Sequence, residues 1–293
     1  MKANTTKGEV GSFGEFLEKF NFVQREYPAS LLKISSMKTA LITGASSGIG
    51  RELATCFAQD GTHLVLTARN TQELEKIAVH LKQSYGIQIH LFTCDLASPN
   101  GANELYQFCQ SQGIHIDYLV NNAGFGDTGL FEQTDWSKNE QMIQLNITSL
   151  THLCRLFIPK MKVAKFGRIL NVASTAAFQP GPTMAVYFAT KSYVLHLSEA
   201  LHNELEGSGI TVTALCPGPT ETNFAQAAGF KSDGIFDNKK KFPSAQEVAV
   251  FGYKAMQKGK AVAIHGTLNY IQANASRFFP RNWVVKITRW MMS

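Results

Sequence analysis

The sequence predicts an α/β protein built on one seven-stranded parallel sheet, and three observations carry that prediction. Seven short runs rich in Val, Ile and Leu occur at 39–43, 63–67, 87–93, 116–120, 168–172, 210–215 and 261–264. The stretches between them, at 48–59, 71–85, 99–112, 135–161, 185–206 and 244–258, repeat their apolar residues at helical spacing. Short buried strands that alternate with helices form βαβ units, whose strands run parallel and are covered on both faces. Residues 37–293 are long enough for one large sheet domain, and 44% hydrophobic content is ample for its core. No internal repeat or low-complexity tract interrupts the pattern.

Residues 1–36 stand apart as an N-terminal extension. A Gly/Thr/Lys-rich start leads to Phe13, Phe16, Leu17 and Phe20 at helical spacing, and Pro28 closes the stretch. Two readings are open: an appendage ahead of an alternative start at Met37, or a helix packed on the domain. The first strand, Thr39–Thr43, runs into Gly44-Ala-Ser46-Ser47-Gly48-Ile49-Gly50 and then a helix. Gly44 lets the chain turn off the strand, Gly48 lets backbone approach a pyrophosphate, and Gly50 lets the helix lie against the sheet. The free N–H groups at that helix start favour an anion. Between a strand and a helix, such a loop predicts dinucleotide binding.

The second strand ends in Ala68-Arg69. An acid for the ribose hydroxyls of NAD is missing there, while a guanidinium suits a 2′-phosphate. NADP(H) is therefore the preferred cofactor, with NAD(H) left open and a plain surface arginine as the alternative. Cys94-Asp95-Leu96 ends the third strand. Asp95 is suited to accept from an adenine amino group or, equally, to cap the following turn. Asn121-Asn122-Ala123-Gly124 follows the fourth strand, and Asp117 is read either as fixing the same region or as a surface acid.

Tyr187 and Lys191 lie four apart on a predicted helix and so share a face. A phenol titrates near 10, too high for acid–base work at neutral pH, and a neighbouring ammonium is expected to lower it. Ser174 ends the strand at 168–173, at the carboxyl edge where ligands sit in such sheets. Asn146 occupies an unfavourable position inside a predicted helix. Pro217-Gly218-Pro-Thr220-Glu-Thr222 follows the sixth strand, stiffened by its prolines and opened by its glycine.

Taken in order, Thr43–Gly50, Asp95, Asn121–Gly124, Asn146, Ser174, Tyr187-Phe-Ala-Thr-Lys191 and Pro217-Gly218 resemble the classical short-chain dehydrogenase/reductase family of the NADP(H)-preferring type, over 37 to about 266. The resemblance implies a Rossmann-type doubly wound sheet in a single domain and nicotinamide chemistry. It also implies hydride exchange between NADP(H) and a small-molecule carbonyl or alcohol. In that reading Tyr187 is the general acid or base, Ser174 orients and polarises the substrate oxygen, and Lys191 also bonds the nicotinamide ribose. Asn146 holds a helix kink and a water that relays protons to Lys191. The Asn121–Gly124 turn braces the sheet and lines the adenosine side, with Ala123 and Gly124 leaving room for the ribose. Backbone near Thr220 and the Thr222 hydroxyl hold the carboxamide. A homo-oligomer through the helices at 135–161 and 185–206 is implied as well. Two alternatives stay open: reduction of 3-oxoacyl thioesters, and nucleotide sensing without turnover on the same fold.

Other chemistries find little support. The eight histidines form no HExxH or paired ligand motif, so no metal is expected, and no Gly-x-Ser-x-Gly elbow occurs. The five cysteines are scattered without a C-x-x-C pair, which fits reduced thiols and a cytoplasmic protein. The net charge of +6 is no argument for nucleic acid once Arg69 and Lys191 have local roles. Two basic segments remain. Residues 223–243 fall where the family has a lid, and combine Phe224, Phe230, Phe236 and Phe242 with Lys231, Lys239, Lys240 and Lys241. They are read either as a cover for an apolar or acyl-carrier substrate or as a solvated loop. The tail at 278–293 places Trp283, Ile287 and Trp290 about one turn apart beside Lys286 and Arg289. It is read as a peripheral membrane contact, a subunit interface or a cover for the site's mouth.

Overall fold

In the computed structural model, residues 37–229 and 242–292 are described. The seven expected strands form: β1 (Thr39–Thr43), β2 (His63–Ala68), β3 (Ile89–Thr93), β4 (Tyr118–Asn121), β5 (Gly167–Val172), β6 (Ile210–Cys216) and β7 (Val262–Ile264). All pair in parallel in one sheet, in the order β3-β2-β1-β4-β5-β6-β7. The chain runs outward from β1 to β3, then returns to place β4 on the other side of β1. That reversal is the switch point of a doubly wound Rossmann-type sheet, and it opens a crevice beyond the carboxyl ends of β1 and β4.

The helices are α1 (Gly48–Gln59), α2 (Thr71–Tyr85), α3 (Gly101–Ser111), α4 (Trp136–Ile143), α5 (Leu150–Ala164), α6 (Ala185–Glu204), α7 (Phe224–Ala227), α8 (Ala245–Gln257), α9 (Thr267–Ala275) and α10 (Arg281–Met292). Alternation along the strands divides them between two layers. Ala40 and Ile42 of β1 face a core with Leu53 and Phe57 of α1, Leu74 of α2 and Val248 of α8. Leu41, between them, faces the opposite core with Leu105 of α3, Phe157 of α5 and Val194 of α6. A strand buried on both faces has to be apolar at every position, which is why these strands read as unbroken hydrophobic runs.

Local signals set several boundaries. Asn70 caps α2 by accepting from the Glu73 N–H at 3.1 Å, and Gly86 ends it at φ +66°. Ser244 and Glu247 form a reciprocal capping box at the start of α8. Asp117 accepts from the Thr39 N–H at 2.8 Å and so ties β4 to the amino end of β1. It is a sheet brace at the edge opposite the crevice, not a residue of the site region.

The helix expected over 135–161 is not continuous. A π-helical segment, Gln144–Ser149, separates α4 from α5, and the run extends to Ala164. Apolar periodicity read from the sequence does not by itself distinguish such a segment, with its i→i+5 bonds, from α-helix. Helix α9 also lacked a strong sequence signal, since its exposed face carries Leu268, Tyr270 and Ile271 and only Ala273 is buried. The expectations for residues 1–36 and for Phe230, Phe236 and the lysines at 231 and 239–241 lie outside the described residues.

Candidate active site

The crevice at the switch point is a cleft of about 1080 Å³ running along the carboxyl ends of the strands. At one end is the glycine loop. Gly44 and Gly48 adopt φ +65° and +53°, a region that suits glycine and strains other residues. A Cβ on Gly44 would stand 2.8 Å from Asn122 Nδ2, and one on Gly48 would stand 3.2 Å from Thr222 Cγ2. Gly44 therefore abuts the Asn122–Ala123 turn and Gly48 abuts Thr222, with no space for a side chain at either position. A Cβ on Gly50 would run into the Gly44 carbonyl and the Asn122 amide, so this glycine lets α1 press against the loop. Gly50 does not line the cleft. Its part is helix–sheet packing, the role expected of it from the sequence.

Gly44, Ser46, Ser47, Gly48 and Ile49 do line the cleft. Ser47, at the start of α1, makes no side-chain cap bond, and no acid stands in the first turn. The N–H groups of that turn are left for an anion. Arg69 extends from the end of β2, exposed and lining the cleft. Among the described residues it has neither an ion pair nor a hydrogen bond. Asp95 lines the same end, and its Oδ1 accepts from the Ala97 N–H at 2.9 Å, so it does cap the following turn. Leu96 lies beside it.

Asn122 fixes the floor. Its Nδ2 donates to the carbonyls of Thr43 (2.9 Å) and Gly44 (3.1 Å). The Thr43 hydroxyl accepts from the N–H groups of Asn122 and Ala123, both at 3.0 Å, and donates to the Val120 carbonyl. Below it, Asn121 Nδ2 donates to Asn171 Oδ1 at 2.9 Å, and Asn171 Nδ2 donates to Ser198 Oγ at 2.9 Å. This buried chain ties β4 to β5 and α6. A single Asn inside an apolar strand gives no periodic signal, so the role of Asn171 is not legible in the sequence.

Asn146, Ser174, Tyr187 and Lys191 come together from three elements: the π segment, the end of β5 and, for both Tyr187 and Lys191, helix α6. Asn146 sits in the π segment, 1% exposed. Its Nδ2 donates to the Phe125 carbonyl (3.0 Å) and Thr190 Oγ1 (3.1 Å), and its Oδ1 accepts from the Phe125 N–H (3.3 Å). A Cβ on Gly124 would stand 3.0 Å from Asn146 Oδ1 and 3.5 Å from Lys191 Nζ, so that glycine lets the two groups converge. Asn146 lies behind the cleft wall, whereas Ser174, Tyr187 and Lys191 line it.

Lys191 is 6% exposed and its Nζ donates to the Val172 carbonyl at 2.8 Å, leaving further N–H donors toward the cleft. Burial pulls its pKa down from 10.5 to about 8. Tyr187 is 8% exposed, with its ring 5.3 Å from that of Phe224. Burial pushes its pKa up to about 12, while a hydrogen bond with the Ser174 side chain acts in the opposite direction. The net direction is therefore upward, set by loss of hydration, where the sequence led us to expect lowering by the ammonium, which lies 5.8 Å from the ring centroid. Ser174 ends β5, where its Oγ accepts from the Ala176 N–H at 3.1 Å and approaches the Pro217 carbonyl at 3.5 Å.

Pro217, Gly218, Thr220 and Thr222 form the opposite wall. The Thr220 hydroxyl donates to the Gly218 carbonyl at 2.9 Å, and the Thr222 hydroxyl accepts from the Phe224 N–H at 3.2 Å. Phe224, Phe242, Met184 and Phe188 extend this end as an apolar chamber. Thr288, Met291 and Met292 of α10 close part of it, so one of the three readings of the tail, a cover for the mouth, describes its inner face. Among the described residues no group of His, Cys, Asp or Glu is placed to hold a metal ion, and no helix is long and apolar enough to cross a membrane.

The residues present fit a phosphorylated nicotinamide dinucleotide. Free helix-start donors, a glycine loop pressed close to its neighbours, a guanidinium without a partner among the described residues and a buried ammonium with spare donors follow one another along a single cleft. Comparison with known proteins agrees. The chain is similar to the uncharacterized oxidoreductase YvrD of Bacillus subtilis (strain 168), 31% identical over 261 residues, covering 82% of this chain and 97% of that one. Its fold is similar to a short-chain dehydrogenase from Sphingobium yanoikuyae in complex with NADPH (32% identity, TM-score 0.74, covering 83% of this chain and 94% of that one). It is also similar to a bulky-bulky ketone specific alcohol dehydrogenase from Comamonas testosteroni (28% identity, TM-score 0.71, covering 83% and 92%). Residues 38–232 match the short chain dehydrogenase family itself, and with the ordered motifs gathered in one cleft, the chain belongs to that family of oxidoreductases.

Proposed function

We propose that the protein interconverts a carbonyl and an alcohol with NADP(H), using Tyr187 as the proton donor and acceptor. The observation that carries the reading is the convergence of the Ser174 and Tyr187 side chains and Lys191 Nζ on one cleft that begins at the glycine loop. When bound, the nicotinamide supplies or accepts the hydride. The chain's own residues do the rest. The first turn of α1 holds the pyrophosphate, and Arg69 takes the 2′-phosphate, which favours NADP(H) over NAD(H); the NADPH-bound relative supports that preference.

At the reacting end, Ser174 Oγ donates to the substrate oxygen and orients it. Tyr187 gives its proton to that oxygen in reduction and takes it back in oxidation. A phenol held near 12 keeps its proton at neutral pH, the form reduction requires, and oxidation requires the phenolate, which a positive charge nearby favours. Lys191 brings that charge. Its low pKa leaves it able to pass a proton onward, and Asn146 fixes the backbone that frames it. The chamber of Met184, Phe188 and Phe224 has no charged side chain, which suits a substrate with an apolar body.

Tyr187→Phe tests the reading. NADPH oxidation is followed against a panel of ketones, aldehydes and 3-oxoacyl thioesters. The variant is expected to bind NADPH normally and lose about 10²–10⁴ in turnover. Full turnover by the variant refutes the role assigned to Tyr187.

A further inference from the structure

Helix α10 has two faces with different surroundings. Its inner face carries Thr288, 2% exposed, and Met292, which packs on the cluster containing Tyr187 and Phe188. Its outer face carries Trp283, Ile287 and Trp290 at i, i+4 and i+7, and these are 62%, 49% and 80% exposed. Large aromatic and aliphatic side chains lined up in water on one stripe of a helix mark an interaction surface. Phe278 and Phe279, just before the helix, are exposed as well.

The charges say what the surface meets. Residues 266–293 contain Arg277, Arg281, Lys286 and Arg289 and no Asp or Glu. Tryptophans flanked by cations are the composition of a helix lying in a membrane interface, where the indoles sit at headgroup depth and the cations meet anionic lipid. A second copy of the chain is the weaker occupant, because an isologous contact would set the same cations against each other. The position of the helix adds a consequence. Leu268 of α9 and Met291 of α10 both line the cleft and are themselves exposed, so the mouth opens beside the same stripe.

We propose that the outer face of α10 docks on an anionic lipid surface and holds the mouth of the cleft against it. A substrate with an apolar body then enters from the lipid rather than from water. The docking stands on its own, independent of the catalytic reading.

The chain has three tryptophans, so Trp136→Phe leaves only those of α10 as reporters. The full-length variant is mixed with phosphatidylcholine vesicles, with and without phosphatidylserine, some of them carrying brominated acyl chains. Flotation with the anionic vesicles only, quenching by brominated lipid, and release by salt are expected. Lys286→Glu should weaken binding by at least about fivefold, the weight of one cation near such a surface. Trp283→Ser with Trp290→Ser should abolish it, while thermal melting and NADPH binding stay unchanged. No flotation, or equal flotation on neutral vesicles, overturns the proposal. So does concentration-dependent dimerisation that the double variant removes, which would assign the face to a second copy.

Discussion

Lys191→Met is expected to make the protein more stable while removing its activity. The structure buries the ammonium with one hydrogen bond, to the Val172 carbonyl, and its pKa falls from 10.5 to about 8. At about 1.36 kcal/mol per pH unit, holding the charged form in this cleft costs about 3 kcal/mol at neutral pH. Methionine keeps the length and apolar stem without the charge. The bond to Val172 is lost, which offsets about 1 kcal/mol. A net gain of about 2 kcal/mol should raise the midpoint of thermal unfolding by roughly 4–8 °C for a domain of this size. The pH dependence gives the sharper signature. Between the folded value of about 8 and the unfolded value of 10.5 the unfolded wild type binds more protons than the folded one, so its stability rises with pH through that window. The advantage of the variant is therefore full below pH 8 and disappears by about pH 10. Melting both proteins at pH 7 and pH 10 without added cofactor is the assay. A variant that melts below wild type at pH 7, or a gap equal at both pH values, refutes the claim that this site strains the fold to hold a cation.

Two further outcomes follow from the nucleotide end of the cleft. Arg69→Asp replaces the guanidinium with a carboxylate, which should repel a 2′-phosphate and accept from ribose hydroxyls. The ratio of kcat/KM for NADPH over NADH should fall by about a hundredfold or more, as expected when a charge-assisted contact becomes a repulsive one; an unchanged ratio would remove Arg69 from the cofactor site. Gly50→Ala sets a methyl against the Gly44 carbonyl and the Asn122 amide. Overpacking of this kind should cost about 1–3 kcal/mol of stability and weaken NADPH binding together, measured by chemical denaturation and fluorescence titration. Loss of neither would mean that α1 has room to shift.

Much of the fold was legible because both-face burial makes a parallel strand a solid apolar run, and the seven runs correspond to the seven strands. The glycine loop was legible for a related reason: positive φ and close approach at Gly44 and Gly48 can be met by one residue type. Other features left no such trace. The π segment around Asn146 is stabilised by bonds to Phe125 and Thr190, partners 21 and 44 residues away. Asn171 and Thr43 matter because other strands lie beside them, and Asn171 is not marked by its neighbours in sequence.

The sequence by itself determined the alternation of strands and helices and the glycine-rich strand-to-helix turn, since each depends on local spacing or on one residue type, and it marked Asn146, Ser174, Tyr187 and Lys191 as candidates. The tertiary structure decided how those groups are tuned. Burial raises Tyr187 and lowers Lys191, opposite for the phenol to what the ammonium alone would do. It also decided that the basic, aromatic tail is part of the cleft: the inner face of α10 closes the chamber and its outer face meets solvent. Hydration and long-range contact set these outcomes, and both arise only once segments distant in the chain have packed together.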